Sequence, residues 1–243
     1  MIRSFAAVAI SALALSASAA DLTITFKSSD GGTATQYFTK DRVRFNSGRS
    51  DTMMEFSSGK LVTIDHQKKE YSEMTLAEID EAMKGAAAQM EQAMAQVPPQ
   101  MREQMARMMG GAAAEVTVAK GGTQTVAGYS CQTYTISMGS TMTQETCNTT
   151  ALTPPFDPAN LQKLSRISMP MMQGMEKFIE KMKEIQGLSL KEHTTVSMMG
   201  RKNETNREAT EVKTGPIGDE VFAMPAGYKK TDSPLKNLGR RGR

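Results

Sequence analysis

The stretch between residues 74 and 111 is the one long interruption in a sequence of short alternating segments and turns. Its apolar residues recur every three or four positions, which is the spacing of one face of an α-helix. Thr75 and Glu78 have the spacing of a capping box, while Pro98 and Pro99 end a first helix and can open a second. The pattern predicts a helical hairpin whose apolar stripe contains Leu76, Ile79, Met83, Ala86, Met90, Met94 and Val97, followed by Met101, Met105 and Met108.

Residues 1–20 have the composition of a secretory signal peptide. Arg3 precedes an alanine-rich apolar run at residues 5–15, and small residues with an A-x-A pattern follow at Ala17 and Ala19. The run is too short for a membrane span, and no later segment approaches the roughly 18 apolar residues that a span needs. We therefore expect an exported protein, periplasmic or secreted, without a transmembrane segment.

The length after the signal peptide suits one domain. We predict this domain at residues 21–228, with helical insertions at 75–110 and 157–186. The basic residues that follow predict a disordered tail at 229–243. The net charge of +3 is too small to indicate a nucleic-acid partner, and the oligomeric state stays open.

Short segments with alternating apolar residues predict β-strands on both sides of the first insertion. Leu22, Ile24 and Phe26 alternate with threonines, and glycine-containing turns separate the segments that follow. This arrangement is typical of an antiparallel meander. The predicted strands cover residues 22–26, 35–39, 42–45, 53–56, 60–65, 115–119, 125–128, 188–199 and 202–213, in addition to a hairpin around Gly139.

Cys131 and Cys147 are the only cysteines in the chain. If Met138, Gly139 and Ser140 form a three-residue turn, Cys131 falls directly opposite Cys147, and the spacing predicts a cross-strand disulfide. Export to an oxidising compartment permits this bond, which contributes about 3 kcal/mol in the chain-entropy account. A two-residue turn sets Cys131 against Asn148 instead, which leaves two free thiols or a redox pair as alternatives.

Four stretches together resemble a bacterial family of exported proteins catalogued only as a domain of unknown function: LTITFKSSDGG, LVTIDHQKKEYSEM, VAGYSCQTYTI and VFAMPAGYKK. That family is in turn similar in pattern to the LolA/LolB-like outer-membrane lipoprotein carriers. The resemblance implies an α+β fold in which an antiparallel, incompletely closed β-barrel, or half-barrel, is covered by amphipathic helices. It implies no established activity.

The sequence favours a protein without catalytic activity. His66 and His193 are its two histidines, and neither has a partner at metal-ligand spacing. A histidine metal site requires the two to converge in space, and we expect neither such a site nor a Ser-His-Asp triad. No G-x-S-x-G, H-E-x-x-H, phosphate-loop or dinucleotide motif occurs, so we expect no cofactor.

Methionine is the strongest compositional signal, with 21 residues in a chain of 243. Flexible thioethers suit an adaptable surface for a lipid or acyl chain, or for a protein partner in the cell envelope. Thioether sulfur also binds copper(I), and methionine can simply fill a protein core. The candidate lining of a hydrophobic-ligand site is Met83, Met90, Met94, Met101, Met105, Met171, Met175 and Phe178. The copper(I) alternative uses Met90, Met94, Met101 and Met105.

Overall fold

The computed structural model describes residues 20–98, 100–101, 115–157, 159–160, 180–198 and 201–238. Twelve strands in this part of the chain form a single sheet. They are β1 (Leu22–Ser28), β2 (Thr33–Phe38), β3 (Arg42–Asn46), β4 (Ser50–Glu55), β5 (Lys60–Asp65), β6 (Glu70–Thr75), β7 (Val116–Val126), β8 (Tyr129–Met138), β9 (Met142–Thr149), β10 (Leu188–Met198), β11 (Arg201–Thr214) and β12 (Lys229–Lys230). Helix α1 covers Leu76–Ala95, a 3-10 helix covers Asp219–Phe222, and helix α2 covers Pro234–Leu238.

The sheet is open, and the predicted α+β half-barrel covered by helices is wrong. The strand order is β12, β6, β5, β4, β3, β2, β1, β11, β10, β9, β8, β7, so β12 and β7 are edges that do not pair with each other. Neighbouring strands are antiparallel except for β12 and β6, and the described residues are mainly β. Helix α1 packs beside β6 and α2 at one end of the sheet.

Both faces of the sheet carry buried apolar residues, which explains why the sheet does not need to close into a barrel. In β4, Met53 and Met54 are both buried although they point to opposite faces, and in β5 the same holds for Leu61 and Val62. A barrel buries only its inner face by closing. In this protein, different segments of the chain cover the two faces of this half of the sheet. The apolar residues on both faces are therefore shielded from water although the sheet stays open.

The larger core lies on the face that α1 covers. It includes residues from both ends of the sheet and from the loop after β9, so one apolar cluster spans most of the described residues. Its buried members are Leu22, Ile24, Phe26, Phe38, Val43, Met54, Leu61, Met74, Ile79, Val126, Cys131, Cys147, Leu152, Phe156, Leu190 and Ala209. The smaller core, on the opposite face, contains Met53, Val62 and Ile64.

The start of α1 confirms the predicted capping box. The N–H of Glu78 donates to Oγ1 of Thr75 at 3.2 Å, and the N–H of Thr75 donates to Oε2 of Glu78 at 2.8 Å. This backbone hydrogen bond, with a contribution from Lys236, lowers the pKa of Glu78 below its ordinary value. The helix continues to Ala95, shortly before Pro98.

The predicted disulfide between Cys131 and Cys147 is confirmed, with the two Cα atoms 5.3 Å apart. The register predicted for it is wrong by two residues. Met138 pairs with Met142, so the loop consists of residues 139–141, and Thr133 rather than Cys131 lies opposite Cys147. Because side chains alternate with a period of two, this shift leaves both cysteines on the same face of the sheet. A disulfide is typical of exported proteins.

The strands β6 and β7 differ from the sequence predictions. Strand β6 was not predicted, since its apolar residues do not alternate in a regular way. Strand β7 replaces the two strands predicted at 115–119 and 125–128, because a bulge at Gly121 and Gly122 lets the pairing with β8 continue. The side-chain amide of Gln132 donates to the carbonyls of Gly121 at 2.7 Å and Gly122 at 2.8 Å, which satisfies the bulge.

Several predictions fall wholly or partly outside the described residues. These are the signal peptide, the second helix of the hairpin beyond Met101, and most of the helix predicted at 157–186, of which residues 159–160 and 180–182 are described and helical. Within the stretch 229–243, predicted as a disordered tail, the structure contains β12 and α2. No described helix has the length and apolar composition needed to cross a bilayer.

Candidate functional site

The methionines predicted to line a ligand site differ in how deeply they are buried. Met83 lies on α1 and packs against the larger core, and Ala86 one turn further is 8% exposed. Met94, near the end of α1, is half-buried, and Met101 is 56% exposed. The side chain of Met90 and residues Met105, Met171, Met175 and Phe178 lie outside what the structure describes. The stripe on α1 thus begins within the core and continues beyond it.

A second candidate site lies on the opposite face, beneath the C-terminal segment 219–228, which we call the strap. The strap crosses β3, β4 and β5 and places Met224 and Tyr228 against the smaller core. Its first turn is held by Arg42, which forms an ion pair with Asp219 and whose guanidinium carbon lies 4.3 Å from the centre of the Phe222 ring. The strap therefore covers apolar residues that would otherwise face solvent.

The middle of the strap is attached to a buried charge pair. Asp51 on β4 is fully buried, and Nε of Arg44 on β3 donates to its Oδ2 at 2.9 Å. The same guanidinium donates through Nη1 to the carbonyl of Val221 in the strap. A buried carboxylate requires such a partner, because desolvation disfavours its charge.

His66 extends this pair to the end of the strap. Its Nε2 lies 3.0 Å from Oδ1 of Asp51, an oxygen that accepts no hydrogen bond of regular geometry within the described residues. This contact is therefore a close electrostatic approach rather than an aligned hydrogen bond. On the other side of the ring, Nδ1 lies 2.9 Å from the hydroxyl of Tyr228. Both nitrogens of His66 thus face polar partners.

Beyond Tyr228 the chain joins the edge of the sheet. The N–H of Lys229 donates to the carbonyl of Lys69 at 2.9 Å, and the N–H of Thr231 donates to the carbonyl of Tyr71 at 2.8 Å. The ammonium group of Lys230 pairs with Glu73, which also pairs with Lys60 at 2.8 Å. Hydrogen bonds from Lys230 and then Lys60 lower the pKa of Glu73 below its ordinary value.

The two histidines do not share a site. His66 follows β5, whereas His193 lies on β10, six positions away in the strand order. His193 pairs in register with Asn206 and Glu145. Within the described residues, no group of three or more His, Cys, Asp or Glu side chains has the arrangement of a metal site.

Sequence reasoning missed the Arg44, Asp51, His66 and Tyr228 cluster. One signal was present, because Asp51 precedes Met53 by two residues and a strand places both on the same face. A carboxylate beside an apolar residue on a covered face implies a buried partner. Nothing in the sequence identified Tyr228 as part of this cluster, because Tyr228 lies 162 residues after His66 in the chain and only the strap places the two side by side.

The chain belongs to the family described as "Domain of unknown function (DUF4412)", which matches residues 90–228. The expected membership of a domain-of-unknown-function family is thereby confirmed, and the similarity to LolA/LolB-like carriers stays a prediction. No curated protein matches the chain significantly.

The solved structures that are similar to most of this chain include the following three. An uncharacterized conserved protein from Thermus thermophilus is 6% identical, covers 89% of this chain and 92% of its own, and has a TM-score of 0.44. PNGF-II is 12% identical, with 92% of this chain and 33% of its own covered and a TM-score of 0.41. MucB in the MucA/MucB complex of Pseudomonas aeruginosa is 12% identical, with 84% and 55% covered and a TM-score of 0.39.

These TM-scores are too low to establish a common fold. The chain spans about a third of the length of PNGF-II and about half of the MucB chain.

Proposed function

We propose that this protein is a non-enzymatic binding protein of the periplasm that holds a hydrophobic ligand, such as a lipid acyl chain, against its methionine-rich first helix. The change in burial along α1 is the observation that supports this proposal. Met83 is packed into the core, Met94 is half-buried, and Met101 beyond the helix is 56% exposed. The apolar stripe therefore extends past the sheet that anchors it.

Methionine is well suited to such a surface. Its unbranched side chain has three rotatable bonds, and its polarizable sulfur fits ligands of irregular shape. In this protein Met94 and Val97 are half-buried and Met101, beyond the end of α1, is 56% exposed, so methionine forms the exposed end of the stripe.

The cluster around His66 supports a role without catalysis. A general base must lie within hydrogen-bond reach of the substrate proton that it takes. In this protein Nδ1 of His66 faces Tyr228, and the charge of Asp51 is compensated by Arg44. The arrangement fastens the strap to the sheet, which is a structural task.

The proposal is tested by titrating the protein with a fluorescent fatty acid. We expect saturable binding at micromolar concentration, and we expect the double substitution Met94→Gln with Met101→Gln to weaken it by about tenfold or more, because two apolar contacts with the ligand become polar. The matched control replaces both methionines with leucine, which keeps the apolar area and should bind like the natural protein.

Absence of saturable binding, or equal affinity in the glutamine variant, would contradict the proposal. The leucine control also addresses the copper(I) alternative when it is extended to Met90 and Met105. Leucine carries no sulfur, so retained copper(I) binding in that variant would exclude the four methionines as ligands.

A further inference from the structure

A pocket of about 180 Å³ lies between the strap and the sheet, on the face opposite α1. Met53 and Val62 line it from the sheet, and Phe222 and Met224 line it from the strap. Charged side chains of β3 to β6 also line it, among them Glu55. The pocket thus combines apolar walls with charged groups.

The charges at this pocket are unequally paired. Arg42 forms an ion pair with Asp219, and Lys60 forms one with Glu73 at 2.8 Å. Glu55 lies directly opposite Arg42 on one side and Lys60 on the other in the strand register, yet it pairs with neither in the described structure. Its carboxylate accepts a hydrogen bond from the hydroxyl of Ser58 at 2.6 Å.

The position of Glu55 determines which ligand charge is favoured. Arg42 is paired with Asp219, and Lys60 shares Glu73 with Lys230, so neither neighbouring cation is bound to Glu55 and each repels an added cation less than a free cation would. A half-buried carboxylate beside apolar walls is best compensated by a positively charged group that donates hydrogen bonds. A ligand carboxylate would face Glu55 without such compensation.

We propose that this pocket binds a small organic cation, specifically a primary amine with an apolar body. The ammonium group donates to Glu55, and the apolar body lies between the Met53 and Val62 side and the Phe222 and Met224 side. A volume of 180 Å³ equals the liquid share of roughly six water molecules, and it is below the usual range of about 300–1,000 Å³ for drug-sized ligands. The site therefore takes a compact amine and is separate from the surface proposed for acyl chains.

The test uses 2-phenylethylamine as the probe and 2-phenylethanol as its neutral analogue. Binding is followed by NMR of protein labelled at the methionine methyl groups, because Met53 and Met224 both line the pocket. We expect the amine to shift these two signals in a saturable manner, with the alcohol binding about tenfold more weakly or worse, since a charged hydrogen bond is absent.

Glu55→Gln is the diagnostic variant. It keeps the hydrogen-bonding shape and removes the charge, so the amine should lose about tenfold in affinity and its advantage over the alcohol should disappear. Glu91→Gln, an exposed position on α1, is the matched control and should leave binding unchanged. Met224→Phe narrows the pocket from the strap side and should weaken both probes.

Three results would overturn the proposal. The first is the absence of saturable shifts at Met53 and Met224 at millimolar amine. The second is equal binding of the alcohol and the amine. The third is unchanged amine affinity in Glu55→Gln when that variant unfolds at the same temperature as the natural protein.

Discussion

The hydroxyl of Tyr228 lies 2.9 Å from Nδ1 of His66, and the two rings meet edge to face with their centres 5.7 Å apart. This contact fixes the end of the strap to the turn after β5. Behind His66, the contacts continue through Asp51 to Arg44, which itself donates to the strap at Val221. The strap is thus held at two points by one group of polar residues around the buried Asp51.

Replacing Tyr228 with Phe should reduce the free energy of unfolding by about 1 kcal/mol, the usual net contribution of one hydrogen bond. The measurement is urea denaturation of the variant and the natural protein. Tyr37→Phe is the matched control, since no hydrogen bond of the Tyr37 hydroxyl occurs in the described structure, and it should change stability much less. Equal effects of the two substitutions would show that the contact with His66 does not stabilise the strap.

Replacing Asp51 with Ala should destabilise the fold by about 3–5 kcal/mol, because Arg44, whose side chain is only 12% exposed, would lose its carboxylate partner in a largely desolvated position. The comparison is Glu204→Gln, which removes the exposed ion pair with Lys202 and should have little measurable effect. The double variant Arg44→Met with Asp51→Leu should recover part of the lost stability, since neither charge is left alone. No recovery would mean that the hydrogen bond from Arg44 to Val221 dominates.

Local sequence signals predicted the parts of the fold that depend on neighbouring residues. Thr75 and Glu78 are three positions apart, and their capping box forms as expected. The cysteines were predicted to bond because a hairpin brings positions 131 and 147 together, although the register differs. The open sheet was not predicted, because it depends on the strap, which returns from the far end of the sequence to cover Met53 and Val62.

The two candidate sites also differ in whether local sequence spacing or long-range contacts bring their residues together. The methionine stripe follows from helical spacing, which is a local property, and its first turns pack on the core. The cluster of Asp51 and His66 with Tyr228 depends on contacts across the sheet and the strap. His66 has no partner at short spacing in the sequence, because its partners Asp51 and Tyr228 lie 15 and 162 residues away.

Gly85→Ala should stabilise the protein by about 0.5–1 kcal/mol, because glycine inside a helix costs conformational entropy. An added Cβ at Gly85 meets no atom within 4 Å, so the substitution introduces no clash. Gly187→Ala is the contrasting variant, since its φ is +86° and an added Cβ would lie 2.4 Å from the carbonyl oxygen of Thr149. Thermal unfolding should shift upward for the first and downward for the second; a downward shift for Gly85→Ala would contradict this account of α1.

Stability should fall in acid partly through Glu73. Lys230 and Lys60 lower its pKa in the folded protein below the value of 4.5 for an unpaired glutamate. A lowered pKa means that the stabilisation is present above the unfolded value and is lost as the pH falls through the folded value. Glu73→Gln should therefore flatten the acid limb of a plot of unfolding free energy against pH. Glu91→Gln, at an exposed position on α1, should leave the limb unchanged, and an equal effect of both would refute the role of Glu73.

Native mass spectrometry of the protein purified from its own cell envelope tests the proposed function most directly. The proposal predicts a population with a bound mass in the range of a lipid or fatty acid, which is lost from the variant with Met94→Gln and Met101→Gln and retained when both are leucine. A protein that carries no such mass, or that carries it equally in the glutamine variant, would contradict a hydrophobic-ligand role for the methionine-rich helix.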